Sequence, residues 1–333
     1  MKYDIEADWR LLNTCNYRCG YCFLSAATLG EKLRAHASPT AWEAAFDATG
    51  RTWLLHLTGG EPSLYPNFVE LCERLTRRHY ISFNSNLTNA SIADFAVRQD
   101  PSRVSFINAG LHLAERQKRN GNRTFLESAQ LLRKRGFPLL VSLVATPAIL
   151  ERYPEAISLL SATGLFPIPK LLRGEFDGRV YPEAYSELDR MRFRAYAAQA
   201  RQRYDSLLAG RSEAFTINMF DDDEFLHGQP RFTGRSCDAG RRFVRLNPDG
   251  EVFRCSQKTR LGNLLAGTFI RPGKPAPATR PIASISAGNM RPPTRISPGS
   301  QLPRSPFDCN SRRPRRRRRC CRESRAEGPI ASP

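Results

Sequence analysis

The chain alternates short apolar runs with amphipathic segments between Trp9 and about Leu172. The apolar runs have the length of buried strands, and the amphipathic segments have the one-sided polarity of helices that pack on a core. Ser38 and Pro39 give the first helix an N-cap and a proline at its first position. The predicted strands are Asp8–Leu12, Trp53–Leu57, Tyr80–Asn84, Arg103–Ile107, Pro138–Ala145 and Phe166–Leu172, and the predicted helices are Pro39–Ala48, Asn67–Arg78, Ile92–Val97, Arg123–Arg135 and Glu155–Ala162.

Six strand–helix units in succession predict a parallel sheet, because each strand must return by a crossover helix. The fold class is therefore α/β, with a sheet that either stays open or curls into a barrel. In both cases the loops after the strand ends gather on one face and carry the functional groups. The sequence places Cys15–Cys22 after the first strand, Gly59–Pro62 after the second and Ser85–Asn89 after the third. We expect the active site where these loops meet.

Fewer elements are predicted beyond the sixth unit. Pro182–Leu208 has the composition of a long helix, and Phe215–Phe220 that of a strand. A β-hairpin is predicted over Phe243–Leu246 and Glu251–Arg254, because Asp249-Gly250 supplies a turn with positive φ.

The last part of the chain differs sharply in composition. Residues 271–333 hold 12 of the 24 prolines and carry 15 Lys/Arg against 3 Asp/Glu, with an unbroken basic run at Arg315–Arg319. Such a segment buries too little apolar surface to offset the entropy of ordering, so it is predicted to be disordered. A shift of the reading frame near residue 270 would also explain the abrupt change.

The net charge of +19 comes mainly from that tail, since residues 1–270 carry a net charge of only +7. The charge therefore does not indicate a nucleic-acid partner for the body of the chain. No apolar run reaches the roughly 20 residues of a membrane span. Met1–Trp9 lacks the basic and apolar regions of a secretory signal, so a cytoplasmic protein is predicted.

Three of the nine cysteines lie within eight residues, as Cys15-x3-Cys19-x2-Cys22. Three thiolates from one loop can hold a four-iron, four-sulfur cluster and leave one iron without a protein ligand. A zinc site usually needs four ligands, and the nearest histidine, His36, lies fourteen residues further on. A disulfide would leave one cysteine unpaired. The spacing favours the cluster, with zinc and structural thiols as alternatives. Cys72, on a predicted helix, is expected to be a core residue.

Asn13–Cys22, with an aromatic residue before the last cysteine, resembles the signature loop of the radical S-adenosylmethionine (radical SAM) superfamily. Thr58–Pro62 resembles the second motif of that superfamily, and the similarity covers about residues 5–175. It implies a partial six-stranded α/β barrel, a TIM-like (β/α)6 fold. The implied cofactors are a 4Fe-4S cluster on Cys15, Cys19 and Cys22, and S-adenosylmethionine on the open iron.

The resemblance also implies roles for the loops. Gly59, Gly60 and Glu61 of the Gly-Gly-Glu-Pro62 motif would hold the amino group of S-adenosylmethionine, because glycines let the backbone approach a ligand closely. The adenine would lie near Tyr21. Three further candidates, for ribose or carboxylate contacts, are Ser85, Asn86 and His112.

The implied reaction begins with an electron from a donor such as flavodoxin or ferredoxin. A 5′-deoxyadenosyl radical then abstracts hydrogen from a peptide, a protein side chain or a small metabolite. Phe176–Pro182, after the sixth strand, is expected to line the substrate entrance.

Cys237 and Cys255 flank the predicted hairpin, and with Gly250 they resemble the beginning of the SPASM/Twitch auxiliary-cluster segment. The further cysteine pairs of that pattern are missing, because only Cys309, Cys320 and Cys321 follow. The domain prediction is therefore a radical SAM core over residues 1–208, a small α+β auxiliary segment over 209–270 and the tail over 271–333. Two alternatives are a radical SAM core without a second cluster acting on a small molecule, and a zinc- or RNA-binding protein.

Overall fold

A sheet of nine strands, mostly parallel, forms the centre of the protein in the computed structural model. The structure describes residues 1–25, 27–30, 35–208, 223–226, 236–254, 259–274 and 276–277, all within one unit, Met1–Ile296. The strands of the large sheet are β1 (Ile5–Leu12), β2 (Trp53–Gly59), β3 (Tyr80–Ser85), β4 (Val104–Gly110), β5 (Leu139–Val144), β6 (Pro167–Lys170), β10 (Phe243–Leu246), β11 (Glu251–Phe253) and β12 (Arg260–Asn263). Their order is β12-β11-β10-β1-β2-β3-β4-β5-β6.

Two short antiparallel pairs lie outside this sheet. They are β7 (Gly174–Phe176) with β8 (Arg179–Tyr181), and β9 (Ser236–Cys237) with β13 (Ala276–Pro277). The helices of the described residues are α1 (Pro39–Asp47), α2 (Phe68–Thr76), α3 (Ser91–Arg98), α4 (Leu113–Lys118), α5 (Asn122–Lys134), α6 (Pro147–Glu151), α7 (Tyr153–Leu160), α8 (Glu187–Arg203), α9 (Asp205–Leu208) and α10 (Asp223–Leu226). No helix of the described residues is long and apolar enough to cross a membrane.

The predicted α/β fold class is confirmed. β1 to β6 pair in sequence order, all parallel, and each overlaps the strand predicted at its position. α1, α2, α3, α5 and α7 lie where helices were predicted. The short helices α4 and α6 and the β7–β8 hairpin were not predicted.

The long helix predicted over Pro182–Leu208 is shorter than expected. α8 begins at Glu187 because Ser186 and Asp189 form a capping box, in which the Ser186 hydroxyl accepts from the Asp189 N–H at 3.2 Å. It ends at Arg203, and α9 follows separately. The strand predicted over Phe215–Phe220 lies outside the described residues.

The two faces of the sheet differ in polarity. In β1, Ala7, Trp9 and Leu11 belong to the apolar core, which also contains Trp42 of α1 at 4.5 Å between the two tryptophan rings. The alternate positions of a strand point to the opposite face. Glu6, Asp8 and Arg10 of β1, His56 of β2, and Ser82 and Asn84 of β3 therefore line a polar inner face.

Contacts across neighbouring strands connect these polar residues. His56 Nδ1 lies 2.5 Å from Ser82 Oγ, and His56 Nε2 lies 3.5 Å from Glu6 Oε2. Nearer the carboxyl ends of the strands, Asn108 donates to Asn84 at 3.0 Å. The inner face thus contains a network of buried and half-buried polar groups on the side opposite the core.

The predicted hairpin does not form a sheet of its own. Its first strand, β10, pairs in parallel with β1, so that Arg245 lies opposite Asp8. Their charged groups are 3.7 Å apart, and burial raises the pKa of Asp8 while Arg245 lowers it. Phe269 adds a ring contact with Trp53 at 6.0 Å. The described part of residues 236–274 therefore extends the core sheet at its β1 edge.

The other edge of the sheet is β6. The Lys170 carbonyl accepts from Ala145 N–H at 2.8 Å, so the backbone of Lys170 faces β5. Backbone groups alternate in direction along a strand, and Pro167 and Pro169 therefore face outward. Neither has an N–H, and the Pro167 carbonyl already accepts from the Tyr153 hydroxyl at 2.6 Å. The outer edge of β6 has no donor at either position.

Replacing Arg245 by Met leaves the buried Asp8 carboxylate without this ion pair, and we expect a loss of about 2 kcal/mol in the free energy of unfolding. The double variant Asp8→Asn/Arg245→Met removes both charges and should recover about half of that loss. Urea denaturation of the four proteins of the cycle measures both values. A coupling energy near zero would show that the ion pair does not hold β10 to β1.

Candidate active site

The loops that follow β1 to β4 bring the predicted site residues to one end of the sheet. The cysteine loop, defined here as residues 13–24, follows β1, and Gly59–Pro62 lies at the end of β2. Ser85 and Asn86 lie at the end of β3, and His112 stands between β4 and α4. All four loops extend from the carboxyl ends of neighbouring parallel strands, which places them side by side.

The backbone of the second loop lies directly against the cysteine loop. Gly60 N–H donates to the Leu12 carbonyl and Glu61 N–H donates to the Thr14 carbonyl, each at 2.8 Å. A Cβ on Gly60 would lie 2.0 Å from the Thr14 oxygen, and one on Gly59 would lie 2.2 Å from the Leu12 oxygen. Gly59 also has a φ of +129°, which favours glycine. Both glycines are therefore required for the two loops to meet.

The Glu61 side chain joins the second loop to the third. Its carboxylate, 2% exposed, accepts the Ser85 hydroxyl at 2.7 Å and the Asn86 N–H at 2.7 Å. The N–H and hydroxyl of Ser63 supply two further hydrogen bonds, at 3.2 and 2.6 Å. Burial raises the pKa of Glu61 and these hydrogen bonds lower it. Because all four partners are donors, we assign Glu61 as an ionised carboxylate.

A second cross-link connects the cysteine loop with the third loop. Asn86 Nδ2 donates to Asn16 Oδ1 at 2.8 Å, and Asn16 Nδ2 donates to the Thr88 hydroxyl at 2.7 Å. The Asn86 Oδ1 accepts from the Thr88 N–H and hydroxyl. Ser85 and Asn86 were predicted to contact the ligand. Their side chains instead form hydrogen bonds that connect the loops.

The three thiols are partly exposed, and each has a hydrogen-bond donor beside it. Tyr17 N–H donates to Cys15 Sγ at 3.3 Å, Leu24 N–H donates to Cys22, and the Tyr21 hydroxyl interacts with Cys19. Burial raises the pKa of Cys15 to about 11 and that of Cys19 to about 12. The free thiols are therefore protonated at neutral pH, and metal binding must release their protons.

No group of three His, Cys, Asp or Glu side chains in the described part of the chain is placed to hold a metal ion. The cysteine loop fits a cluster better than a single ion, because a cluster takes each thiolate on a separate iron. The thiols are close enough to affect one another: negative charge on Cys22 raises the pKa of Cys15, and negative charge on Cys15 or Cys22 raises the pKa of Cys19. Hydrogen bonds to sulfur are also typical of cluster sites.

His112 lies next to Tyr21 and Cys19. Its Nδ1 is 3.0 Å from the Tyr21 hydroxyl and 3.5 Å from Cys19 Sγ. Burial lowers the pKa of His112 to about 4, so the imidazole is neutral at pH 7. Tyr21 and Phe176 both pack against a second apolar cluster, which contains Leu172, Tyr181 and Tyr185, and a Cβ on Gly20 would lie 3.5 Å from the Phe176 ring. Phe176, the first residue of the segment predicted to line the substrate entrance, therefore lies beside the cysteine loop.

Two residues of α4 that the sequence did not indicate also contact the loops. Glu115, 5% exposed, accepts from Arg18 N–H at 3.3 Å and pairs with Lys118 at 2.9 Å. Arg116, fully buried, donates to the carbonyls of Asn86 and Gly110. The only signal in the sequence is a charged stretch after β4, which usually forms a solvated face.

The structure describes only one of the two cysteines of the predicted second cluster. Cys237 lies in β9, opposite Ala276 of β13, and is partly exposed. Cys255 lies outside the described residues, as do Cys309, Cys320 and Cys321. The auxiliary cluster and the disordered tail stay predictions.

Replacing Gly60 by Ala would drive a Cβ into the Thr14 carbonyl, and we expect the two loops to separate. The free energy of unfolding should fall by about 3 kcal/mol, and uptake of iron by the cysteine loop should fall with it. Gly273→Ala is the matched control, because a Cβ on Gly273 has nothing within 4 Å. Thermal melts and iron content measure both effects; equal behaviour of the two variants would contradict the contact.

Comparison with known proteins agrees with this arrangement. The profile of the radical SAM superfamily matches residues 9–160, which span β1 to α7. No curated protein sequence matches the chain. Several solved structures share the fold. Their sequence identities are low, so this similarity shows the fold alone.

The similar structures include native anSMEcpe with bound AdoMet, with a TM-score of 0.53 and 17% identity over 79% of this chain and 79% of that chain. The structure of anSMEcpe with AdoMet and the Cp18Cys peptide gives 0.52 and 18%, over 79% and 78%. Streptococcus suis SuiB bound to the precursor peptide SuiA gives 0.51 and 15%, over 82% of this chain and 66% of that chain.

The family profile covers the cysteine loop, the Gly-Gly-Glu loop that packs against it, and the loops after β3 and β4. The sheet has the architecture of the radical SAM structures that it resembles. A domain of this superfamily implies a 4Fe-4S cluster and S-adenosylmethionine as cofactors. Residues 9–160 therefore form a radical SAM domain, which indicates an enzyme of this superfamily.

Proposed function

We propose that Cys15, Cys19 and Cys22 hold a 4Fe-4S cluster whose fourth iron binds S-adenosylmethionine. The observation that carries this proposal is the close contact between the cysteine loop and Gly59–Glu61, in which the backbone of Glu61 hydrogen-bonds to Thr14, the residue before Cys15. Each thiol already has a hydrogen-bond donor, which suits a thiolate ligand.

The backbone of Gly59–Glu61 would hold the amino group of S-adenosylmethionine. The Glu61 carboxylate is not free for that contact, since it accepts four hydrogen bonds from Ser63, Ser85 and Asn86. Glu61, Ser85 and Asn86 are therefore proposed as positioning residues, and Pro62 begins the short 3-10 turn that follows Glu61.

On the other side of the cysteine loop, Tyr21 and His112 would lie beside the nucleoside. Their hydrogen bond orients the Tyr21 ring, which also packs against the second apolar cluster. His112, neutral at pH 7, offers one ring nitrogen to Tyr21 and Cys19 without adding charge.

Held by Cys15, Cys19 and Cys22, the cluster with S-adenosylmethionine would supply one-electron radical chemistry for removing hydrogen from the substrate. The protein binds and orients the cofactor and shields the radical from water. The electron would come from a small redox protein such as flavodoxin or ferredoxin.

We favour a peptide or protein side chain as the substrate. Apolar side chains are exposed along β8 and the first turns of α8, with Val180, Leu188 and Met191 each about half exposed or more. They follow Phe176, which contacts the cysteine loop. SuiB was solved with a precursor peptide, and anSMEcpe with the Cp18Cys peptide. A small metabolite is the alternative if no second cluster forms.

Anaerobic reconstitution tests the proposal. We expect about four irons per chain for one cluster, or about eight if the auxiliary cluster forms, and release of 5′-deoxyadenosine after reduction in the presence of S-adenosylmethionine. Replacing Cys15, Cys19 or Cys22 by Ala should abolish cleavage of S-adenosylmethionine, because each removes one thiolate of the first cluster.

Cys72→Ala is the control, because Cys72 lies on α2 and is fully buried in the apolar core. This substitution should not change the iron content of the first cluster. Zinc in place of iron, with no 5′-deoxyadenosine after reduction, would refute the enzymatic function. Retention of cleavage in all three triad variants would refute the assignment of the ligands.

Replacing Glu61 by Gln keeps the size of the side chain but turns one oxygen into an NH2 group facing donors. We expect a rise of about tenfold in the Kd for S-adenosylmethionine, measured by equilibrium dialysis on iron-loaded protein. Glu70→Gln, at a half-exposed ion pair with Arg74, should leave the Kd unchanged. An unchanged Kd in Glu61→Gln would show that the cross-link does not position the loop.

A further inference from the structure

Arg116 is a fully buried guanidinium at the inner side of the cysteine loop. One of its nitrogens, Nη2, donates to the carbonyls of Asn86 and Gly110, the latter at 2.9 Å. In the described part of the chain, Nε and Nη1 have no hydrogen-bond partner and no carboxylate forms an ion pair with Arg116. A buried charge is usually paired, so an unpaired one calls for a reason.

Two aromatic rings enclose the guanidinium. It lies 4.0 Å from the centroid of Phe125 and 5.7 Å from that of Tyr17. Tyr17 belongs to the cysteine loop and donates its N–H to Cys15 Sγ. A ring of the cysteine loop therefore lies against the positive charge.

The other charges around the loop are compensated or exposed. Glu115 pairs with Lys118 and Arg119, and Glu61 shares its charge among four hydrogen bonds. Arg119 also faces the Tyr17 ring, at 5.5 Å, but its side chain is 50% exposed, so water and salt screen it. Arg116 is the buried cation of this group.

We propose that Arg116 sets the reduction potential of the cluster by holding a permanent positive charge beside it. The inference rests on the proposed function. Reduction adds one electron to the cluster, and a nearby cation in a medium of low polarity stabilises that added charge. Burial and local charge are among the factors that tune such potentials.

The charge is present at working pH. Burial lowers the pKa of Arg116 to about 10, and negative charge on Cys19 or Glu61 would raise it. The side chain therefore stays protonated at pH 7. Its role is that of a positioning and tuning residue, because it does not contact the reacting atoms.

The test compares the midpoint potential of the reconstituted cluster, from redox titration with dithionite followed by EPR, in four proteins. Arg116→Met removes the charge and keeps an apolar chain between the two rings. Arg116→Lys keeps the charge, and Arg119→Met removes the exposed cation on the same ring. In Arg116→Met we expect the cluster to be harder to reduce. The equilibrium constant for its reduction should fall on the order of tenfold, which lowers the midpoint potential by about 59 mV for a one-electron couple.

Arg116→Lys and Arg119→Met should match the wild type. An unchanged midpoint potential in Arg116→Met would overturn the inference. A fall of the same size in the midpoint potential of Arg116→Lys would also overturn it, because that variant keeps the charge. If Arg116→Met does not load iron, Arg116→Gln takes its place, because its amide can still donate to the Asn86 carbonyl. Failure of both uncharged variants to keep iron would assign Arg116 a structural role and also overturn the inference.

The two proposals fail in different ways. A wild-type chain that takes up no iron overturns the proposed function, and this inference with it. Iron-loaded variants with unchanged potentials overturn the role of Arg116 alone. Melting temperatures of the metal-free proteins report the structural contribution of the side chain separately.

Discussion

The active site depends on one close contact between two backbones. The second loop approaches the cysteine loop so closely that neither Gly59 nor Gly60 can carry a side chain. Two hydrogen bonds between the backbones fix the distance, and Glu61 extends the connection to the third loop. The cysteine loop has no regular secondary structure, so these neighbours, with Asn86 and Glu115, determine its conformation. The loops would act as one rigid body that binds the cofactors with little further ordering.

The sheet supports this arrangement by separating its two faces. Apolar side chains on the outer face, several tryptophans and phenylalanines among them, form the core with the helices. The inner face contains charged and amide groups instead, such as Asp8, His56 and Asn84. A polar inner face of this kind cannot be a conventional core. It is suited to a ligand that brings its own polar groups.

Much of the fold could be predicted from the sequence, because the period of apolar residues determines strands and helices locally. The six strands and the triad followed from runs such as Trp53–Leu57 and from the spacing of Cys15, Cys19 and Cys22. Tertiary contacts could not be predicted in the same way. The pairing of β10 with β1 depends on residues more than two hundred positions apart. The burial of Arg116 could not be predicted, because a charged residue on a short helix is usually exposed to solvent. Glu61 was correctly placed in the loop, but the hydrogen bonds that occupy its carboxylate depend on the third loop.

The prolines of β6 limit how a polypeptide can be recognised at that side of the sheet. Pro167 and Pro169 have no N–H, and the Pro167 carbonyl is occupied by Tyr153. An extended peptide therefore cannot bind by adding a strand to this edge, as it can in proteins that use β-augmentation. The same feature keeps the edge from pairing with a second copy of the chain. A peptide bound near β6 would have to be selected through its side chains, so its recognition would depend on residue identity and not on backbone register.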